Sequence, residues 1–133
     1  MIVVDTNVLV YLCTESPHRS AAEAWFRRDP DWRIPTLALT ETANVLLGMV
    51  RRGTLNVESA VLALEVLDSR LVRVSACAPA RVLRAAAAWG LSAYDAEFVL
   101  VAMDLGVQLV THDAAILRAC PRVAVAVTDP GGG

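Results

Sequence analysis

The hydrophobic pattern opens with Ile2, Val3 and Val4, three β-branched residues without alternation. Such a run predicts a short strand buried on both faces, as inside a parallel sheet. "NVLVYLC" and "HRSAAEAWFRR" follow with helical character, the second closed by the turn around Pro30. "WRIP" predicts a short strand. Leu37 to Arg52, ended by Gly53, and Val57 to Asp68, with Val57, Val61 and Leu64 in phase, predict a helical hairpin. "LVRVS" is a strand, "APARVLRAAAAWG" a helix, and "SAYDAEFVLVAMDLG" another helix, capped by Ser92 and ended by Gly106. "VQLVT", "DAAILRAC" and "RVAVAV" complete the series as strand, short helix and strand. Strands alternating with helices predict an α/β fold, a three-layer α/β/α sandwich around a parallel sheet of four or five strands. The "DPGGG" tail, residues 129–133, is expected to be disordered.

Composition narrows this picture. A chain of 133 residues, 56% of them hydrophobic, can bury one sizeable core without staples. Its apolar runs are broken well before membrane-spanning length and the start "MIVVD" lacks a basic leader, so a cytoplasmic protein without membrane attachment is expected. Cys13, Cys77 and Cys120 are odd in number and widely spaced, which suits reduced, buried thiols. His18 and His112 are too few and too far apart in the chain for a zinc cluster. A formal net charge of −2 weighs against a broad nucleic-acid-binding face, though not against a local one. All 12 basic residues are arginines, which excludes a P-loop lysine and a Schiff-base lysine.

Four carboxylates stand where chemistry is expected. Asp5 follows the first strand and Asp113 the strand "VQLV"; Asp95 lies in the first turn of one helix and Glu41 early in another. Each also has a structural reading. Asp5 and Asp113 are favoured N-cap residues between strand and helix. Asp95 can complete an imperfect capping box with Ser92, and Glu41 suits the positive end of a helix dipole. Asp5 and Asp113 must nevertheless share one edge of a parallel sheet, the edge outside which ligands bind. Thr6, Asn7 and Thr111 add hydroxyls and an amide able to orient a carboxylate. Clustered carboxylates repel unless a cation lies among them, and oxygen ligands without Cys or His point to Mg²⁺ or Mn²⁺.

In "VDTNVLVYL", "LALTETANVLL" and "LSAYDAEFVLVAMDLGVQLVTHD", in that order, the chain resembles the PIN-domain ribonucleases, most of all the VapC-type toxins of bacterial toxin-antitoxin pairs. The resemblance covers residues 1–128 as a single PIN domain. It implies that Asp5, Glu41, Asp95 and Asp113 are the catalytic, metal-binding acids, with Thr6, Asn7 and Thr111 in support. It also implies an endoribonuclease that hydrolyses RNA phosphodiester bonds through a metal-activated water, with no protein nucleophile. Glu97 departs from the apolar residue expected after "YDA" and has two readings, an extra acid supporting the site or a surface charge, the second favoured because charged residues are mostly exposed. His112 falls at a variable position and is read as a bystander. Arg27, Arg28, Arg51 and Arg52 have two readings, as phosphate contacts or as solvated charges at helix ends.

Two other classes share parts of this pattern. A receiver-like phosphotransfer domain shares the architecture and an acidic magnesium pocket but uses a lysine that this chain lacks, and a dehalogenase-type phosphatase would want an aspartate where Asn7 stands. A non-catalytic PIN-fold binding protein is the more serious alternative. The apolar character of the two hairpin helices, taken with the resemblance, implies a groove for an antitoxin peptide and a homodimer.

Overall fold

A computed structural model describes residues 1–128; the tail expected to be disordered lies outside the described residues. Five strands, β1 (Ile2–Val4), β2 (Trp32–Pro35), β3 (Val72–Val74), β4 (Leu109–Thr111) and β5 (Ala124–Ala126), form one sheet in the order β3-β2-β1-β4-β5. Every pairing is parallel. The run without alternation at the amino terminus does what it predicts, since Ile2, Val3 and Val4 are all buried in the middle of the sheet.

Between the strands run α1 (Thr6–Cys13), α2 (Arg19–Arg28), α3 (Leu37–Arg51), α4 (Val57–Arg70), α5 (Pro79–Trp89), α6 (Ala93–Leu105) and α7 (Ala114–Ala119). Their boundaries follow local chemistry. Asn56 caps α4 by accepting from Ser59 N, and Ser92 caps α6 by accepting from Asp95 N. Gly90 and Gly106 end α5 and α6 at φ 67°, a left-handed conformation that glycine adopts without a Cβ clash.

On one side of the sheet α6 lies along β1, β2 and β4 with α5 packed on it; α1, α2, α3 and α4 pack among themselves as a second group, α1 and α3 reaching β4 and β2. The result is a three-layer α/β/α sandwich. Its core joins Val3, Val4, Ile34, Leu109 and Val110 of the sheet to Val8, Leu9, Trp25, Phe98 and Val99 of the helices. No helix among the described residues is long and apolar enough to cross a membrane.

The strand order positions the site. From β1 the chain steps one way to β2 and β3, and from β4 it steps the other way to β5, so the crossovers diverge between β1 and β4. At such a switch point the carboxyl ends of adjacent strands open into a crevice. The register pairs Val3 with Leu109 and Val4 with Val110, and the ladder continues as Asp5 N donates to Val110 O at 2.9 Å. Asp5 is thereby brought level with Thr111, at the mouth of that crevice.

The cysteines correct one expectation. All three thiols are free, but only Cys120 is buried, and Cys13 and Cys77 are half-buried.

Candidate active site

Asp5 is 5% exposed and anchors the site. Its Oδ1 accepts from Thr6 N at 2.8 Å, the cap that starts α1, while its Oδ2 accepts from Thr111 Oγ1 at 2.8 Å and from Asn7 Nδ2 at 3.4 Å. One carboxylate therefore serves as helix cap and as the hub of a polar cluster. Thr111 Oγ1 also accepts from Asp113 N at 3.0 Å, so this one hydroxyl ties together both aspartates at the edge of the sheet.

Asp113 caps α7 through Oδ1 alone, which accepts from Ala115 N and Ile116 N at 2.8 and 3.2 Å. Its other oxygen is spared from capping. Glu41, on α3, receives a hydrogen bond from Thr6 Oγ1 at 3.2 Å, and so is joined to the turn that carries Asp5. Asp95 stands in the first turn of α6 and is half-buried. The expected capping pair appears in one direction, Ser92 Oγ accepting from Asp95 N at 3.1 Å.

Electrostatics link all four acids. Burial pushes the Asp5 carboxyl up to about 6, its bonds with Thr111 and Thr6 pull it down, and the charges of Asp95 and Asp113 raise it again. Burial raises Glu41, opposed by the bond from Thr6 and reinforced by Asp95 and Glu97. Asp95 is raised by burial and then by Asp113, with Ser92 opposing. No cation figures among the groups that act on these three carboxyls. Buried like charges in that state are stabilised by a positive ion, and an all-oxygen donor set fits a hard divalent cation. Among the described residues, no three acidic, His or Cys side chains gather tightly enough to form a ready ligand shell. Mutual repulsion favours such an open arrangement.

Glu97 stands close to the acids on α6. It is half-buried and acts on Glu41 and also on Cys77, which places it at the margin of the acidic group. His112 is exposed, as a bystander would be, yet its backbone N donates to Asn7 Oδ1 at 3.3 Å. Arg27, Arg28, Arg51 and Arg52 are exposed at the carboxyl ends of α2 and α3. Arg51 stands ten residues beyond Glu41 on α3, a separation of about 15 Å along the helix axis.

A second feature lies away from the acids. A cleft of about 480 Å³ runs between α1, α2 and α4, with Leu12, Phe26, Leu62 and Val66 among its apolar lining and Arg19 and Arg70 among its charged residues. The groove expected on the α3–α4 hairpin corresponds to a separate, smaller hollow of about 330 Å³ lined by Leu39 and Ala43 of α3 and Leu64 of α4. Only α4 of that pair lines the larger cleft, whose other walls come from α1 and α2.

The family model described as the PIN domain matches residues 2–120, and the chain belongs to that family. Among solved structures it is similar to PAE2754 from Pyrobaculum aerophilum, at 26% identity and a TM-score of 0.80 over 95% of this chain and 88% of that one. It is also similar in fold to VapC20 of Mycobacterium tuberculosis, a sarcin-ricin loop cleaving toxin, at 21% identity, TM-score 0.66, and 90% and 95% coverage. FitAcB from Neisseria gonorrhoeae is similar at 19% identity, TM-score 0.66, and 96% and 98% coverage. No curated protein matches the chain.

Proposed function

We propose that the protein is a Mg²⁺- or Mn²⁺-dependent endoribonuclease that acts as the toxin of a toxin-antitoxin pair. The observation that carries this reading is the carboxylate of Asp5, held by Thr6, Asn7 and Thr111 at the switch point of the sheet and raised chiefly by its burial, with smaller contributions from the charges of Asp95 and Asp113. Membership of the PIN domain family and the fold shared with the VapC20 toxin support it.

In this reading Asp5, Glu41, Asp95 and Asp113 hold the cation. When bound, a divalent ion supplies charge stabilisation at the phosphoryl oxygens and a lowered pKa for the attacking water. The chain's own residues supply position. Thr111 and Asn7 fix the direction of Asp5 Oδ2, Thr6 fixes Glu41, and the cap of α7 leaves one oxygen of Asp113 turned to the task. Burial of Asp5 strengthens each of these interactions by lowering the local dielectric.

The partner reading rests on the cleft between α1, α2 and α4. An apolar trough with arginines among its lining suits an antitoxin segment that presents apolar side chains and carboxylates. Exposed Val45, Leu47, Val57 and Val61 on α3 and α4 support self-association as a homodimer. The cytoplasm is the compartment where such a toxin meets RNA.

The test is cleavage of total cellular RNA by the purified protein, with Mn²⁺ and with excess EDTA, followed by sequencing of the RNA ends. Metal-dependent cuts at a restricted set of sites are expected. Intact RNA in both conditions, with RNA still bound, would instead favour a non-catalytic PIN-fold binding protein.

A further inference from the structure

Beside the acids stands a group of rings that the reaction does not use. Tyr11, His18 and His112 come from α1, the start of α2 and the residue after β4, and their ring centroids lie 4.8 Å (Tyr11–His18), 5.6 Å (Tyr11–His112) and 4.5 Å (His18–His112) apart. Both histidines of the chain and one of its two tyrosines therefore converge at one place. The rings meet tilted or edge-on, at 41°, 84° and 45°, so none is covered by a parallel stack on another. Trp25, Trp32 and Phe98 are buried in the core, whereas Tyr11 and His18 are half-buried and His112 is exposed. Core packing accounts for the first set. Tyr11 rests one side on the core and keeps the rest of its ring outside it, and core packing leaves His18 and exposed His112 without an explanation.

The cluster is continuous with the acidic site. Asn7 donates to Asp5 Oδ2 and accepts from His112 N, and Tyr11, four residues along α1, lies on the same helix face as Asn7. His112 itself is the residue between Thr111 and Asp113. A nucleic-acid strand whose phosphate is held at the acids has its neighbouring nucleotide within reach of these rings. Unpaired bases stack on aromatic and imidazole rings, and a duplex does not present its base faces in that way. With a net charge of −2 the protein lacks a general positive field to hold RNA, so contacts of this kind gain weight.

We infer that Tyr11, His18 and His112 form a stacking platform that seats an unpaired base of an RNA strand next to the phosphodiester held at Asp5, Asp95 and Asp113. This deepens the ribonuclease reading and rests on it for the substrate class. The platform selects single-stranded RNA and sets the register of the strand, and its residues position the substrate without exchanging protons with it.

The test uses short single-stranded RNAs carrying 2-aminopurine at successive positions, whose fluorescence falls when the base stacks. They are titrated with the wild-type protein, His112→Ala and His112→Phe in Ca²⁺, a hard oxygen-seeking ion able to occupy the acids, with Mn²⁺ kept for the cleavage arm, and each protein is checked for folding by circular dichroism. The wild type should quench one position. His112→Ala should weaken binding about tenfold and restore that signal, whereas His112→Phe, which keeps a ring and loses both ring nitrogens, should retain both. An abasic nucleotide at the same position should weaken wild-type binding as much as His112→Ala does, which gives a reading that needs no variant. Unchanged binding and quenching in His112→Ala, equal losses in the Ala and Phe variants, or no binding of RNA by the wild type would overturn the platform. Cleavage with Mn²⁺ separates the two readings. RNA cut normally with no position quenched removes the platform alone, while quenching without cleavage removes the nuclease and leaves the platform standing.

Discussion

Thr111 Oγ1 donates to Asp5 Oδ2 at 2.8 Å, joining two residues 106 positions apart, and the same oxygen accepts from Asp113 N at 3.0 Å. The hydroxyl thus uses its donor on one acid and its acceptor on the backbone of the next. Thr111→Val keeps the shape and removes both bonds. A buried carboxylate short of a partner costs about 1–3 kcal/mol, so the metal-free variant should lose stability of that order in urea denaturation, and RNA cleavage should fall. Thr111→Ser should restore most of both. A Thr111→Val protein as stable and active as wild type would show that the bond does not position Asp5.

The raised carboxyl of Asp5 makes a prediction about pH. Its group goes from the ordinary 3.8 to about 6 in the fold, so across that window the folded chain holds more protons than the unfolded one. Stability from this residue is therefore present in acid and lost as pH rises, by about 3 kcal/mol over the whole window. Ion-paired Asp31 and Asp104 are lowered by Arg33 and Arg81 and slope the other way, so the informative quantity is the difference between wild type and Asp5→Asn. That difference, measured by denaturation without metal, should move against the wild type as pH rises from about 4 to about 6.5. A flat difference would contradict the buried, repelled state of Asp5.

The cleft between α1, α2 and α4 can be tested apart from catalysis. Leu62 is 62% exposed and Val66 40%, so Leu62→Glu and Val66→Glu should change stability by no more than about 0.5 kcal/mol. Both should nevertheless abolish co-purification with the product of the adjacent gene and leave RNA cleavage intact. Retained association in both variants would move the partner's site elsewhere.

Much of this was legible in the residues, for physical reasons that also mark where legibility ends. Ile2–Val4 and Leu109–Val110 announce a buried parallel sheet because strands covered on both faces need no polar alternation. Asp5 and Asp113 were ambiguous between cap and chemistry, and the structure shows why: each caps a helix, Asp5 with one oxygen while the other joins the polar cluster. Glu97 was open to two readings because α6 is buried over Phe98 to Ala102 yet exposed at Tyr94, Met103 and Asp104, so the spacing alone does not say on which side of the helix a charge at 97 falls. The convergence of His18 and His112 had no local signal. Only the return of β4 beside β1 brings Thr111 and its neighbour back to α1, and that pairing is decided by the sheet as a whole.

The most direct measurement is a comparison of wild type with Asp95→Asn, by thermal melts with and without Mn²⁺ and by RNA cleavage. Asp95 is raised by burial and by Asp113 and itself raises Asp5 and Glu41, so removing its charge relieves repulsion while nearly preserving shape. The metal-free variant should be as stable as metal-free wild type or more so. Mn²⁺ at 100 times its dissociation constant should stabilise the wild type by about 2.7 kcal/mol, and both that gain and RNA cleavage should collapse in the variant, cleavage by orders of magnitude. An Asp95→Asn protein that is less stable without metal, gains as much from Mn²⁺ and still cuts RNA would contradict a cation-binding role for these acids.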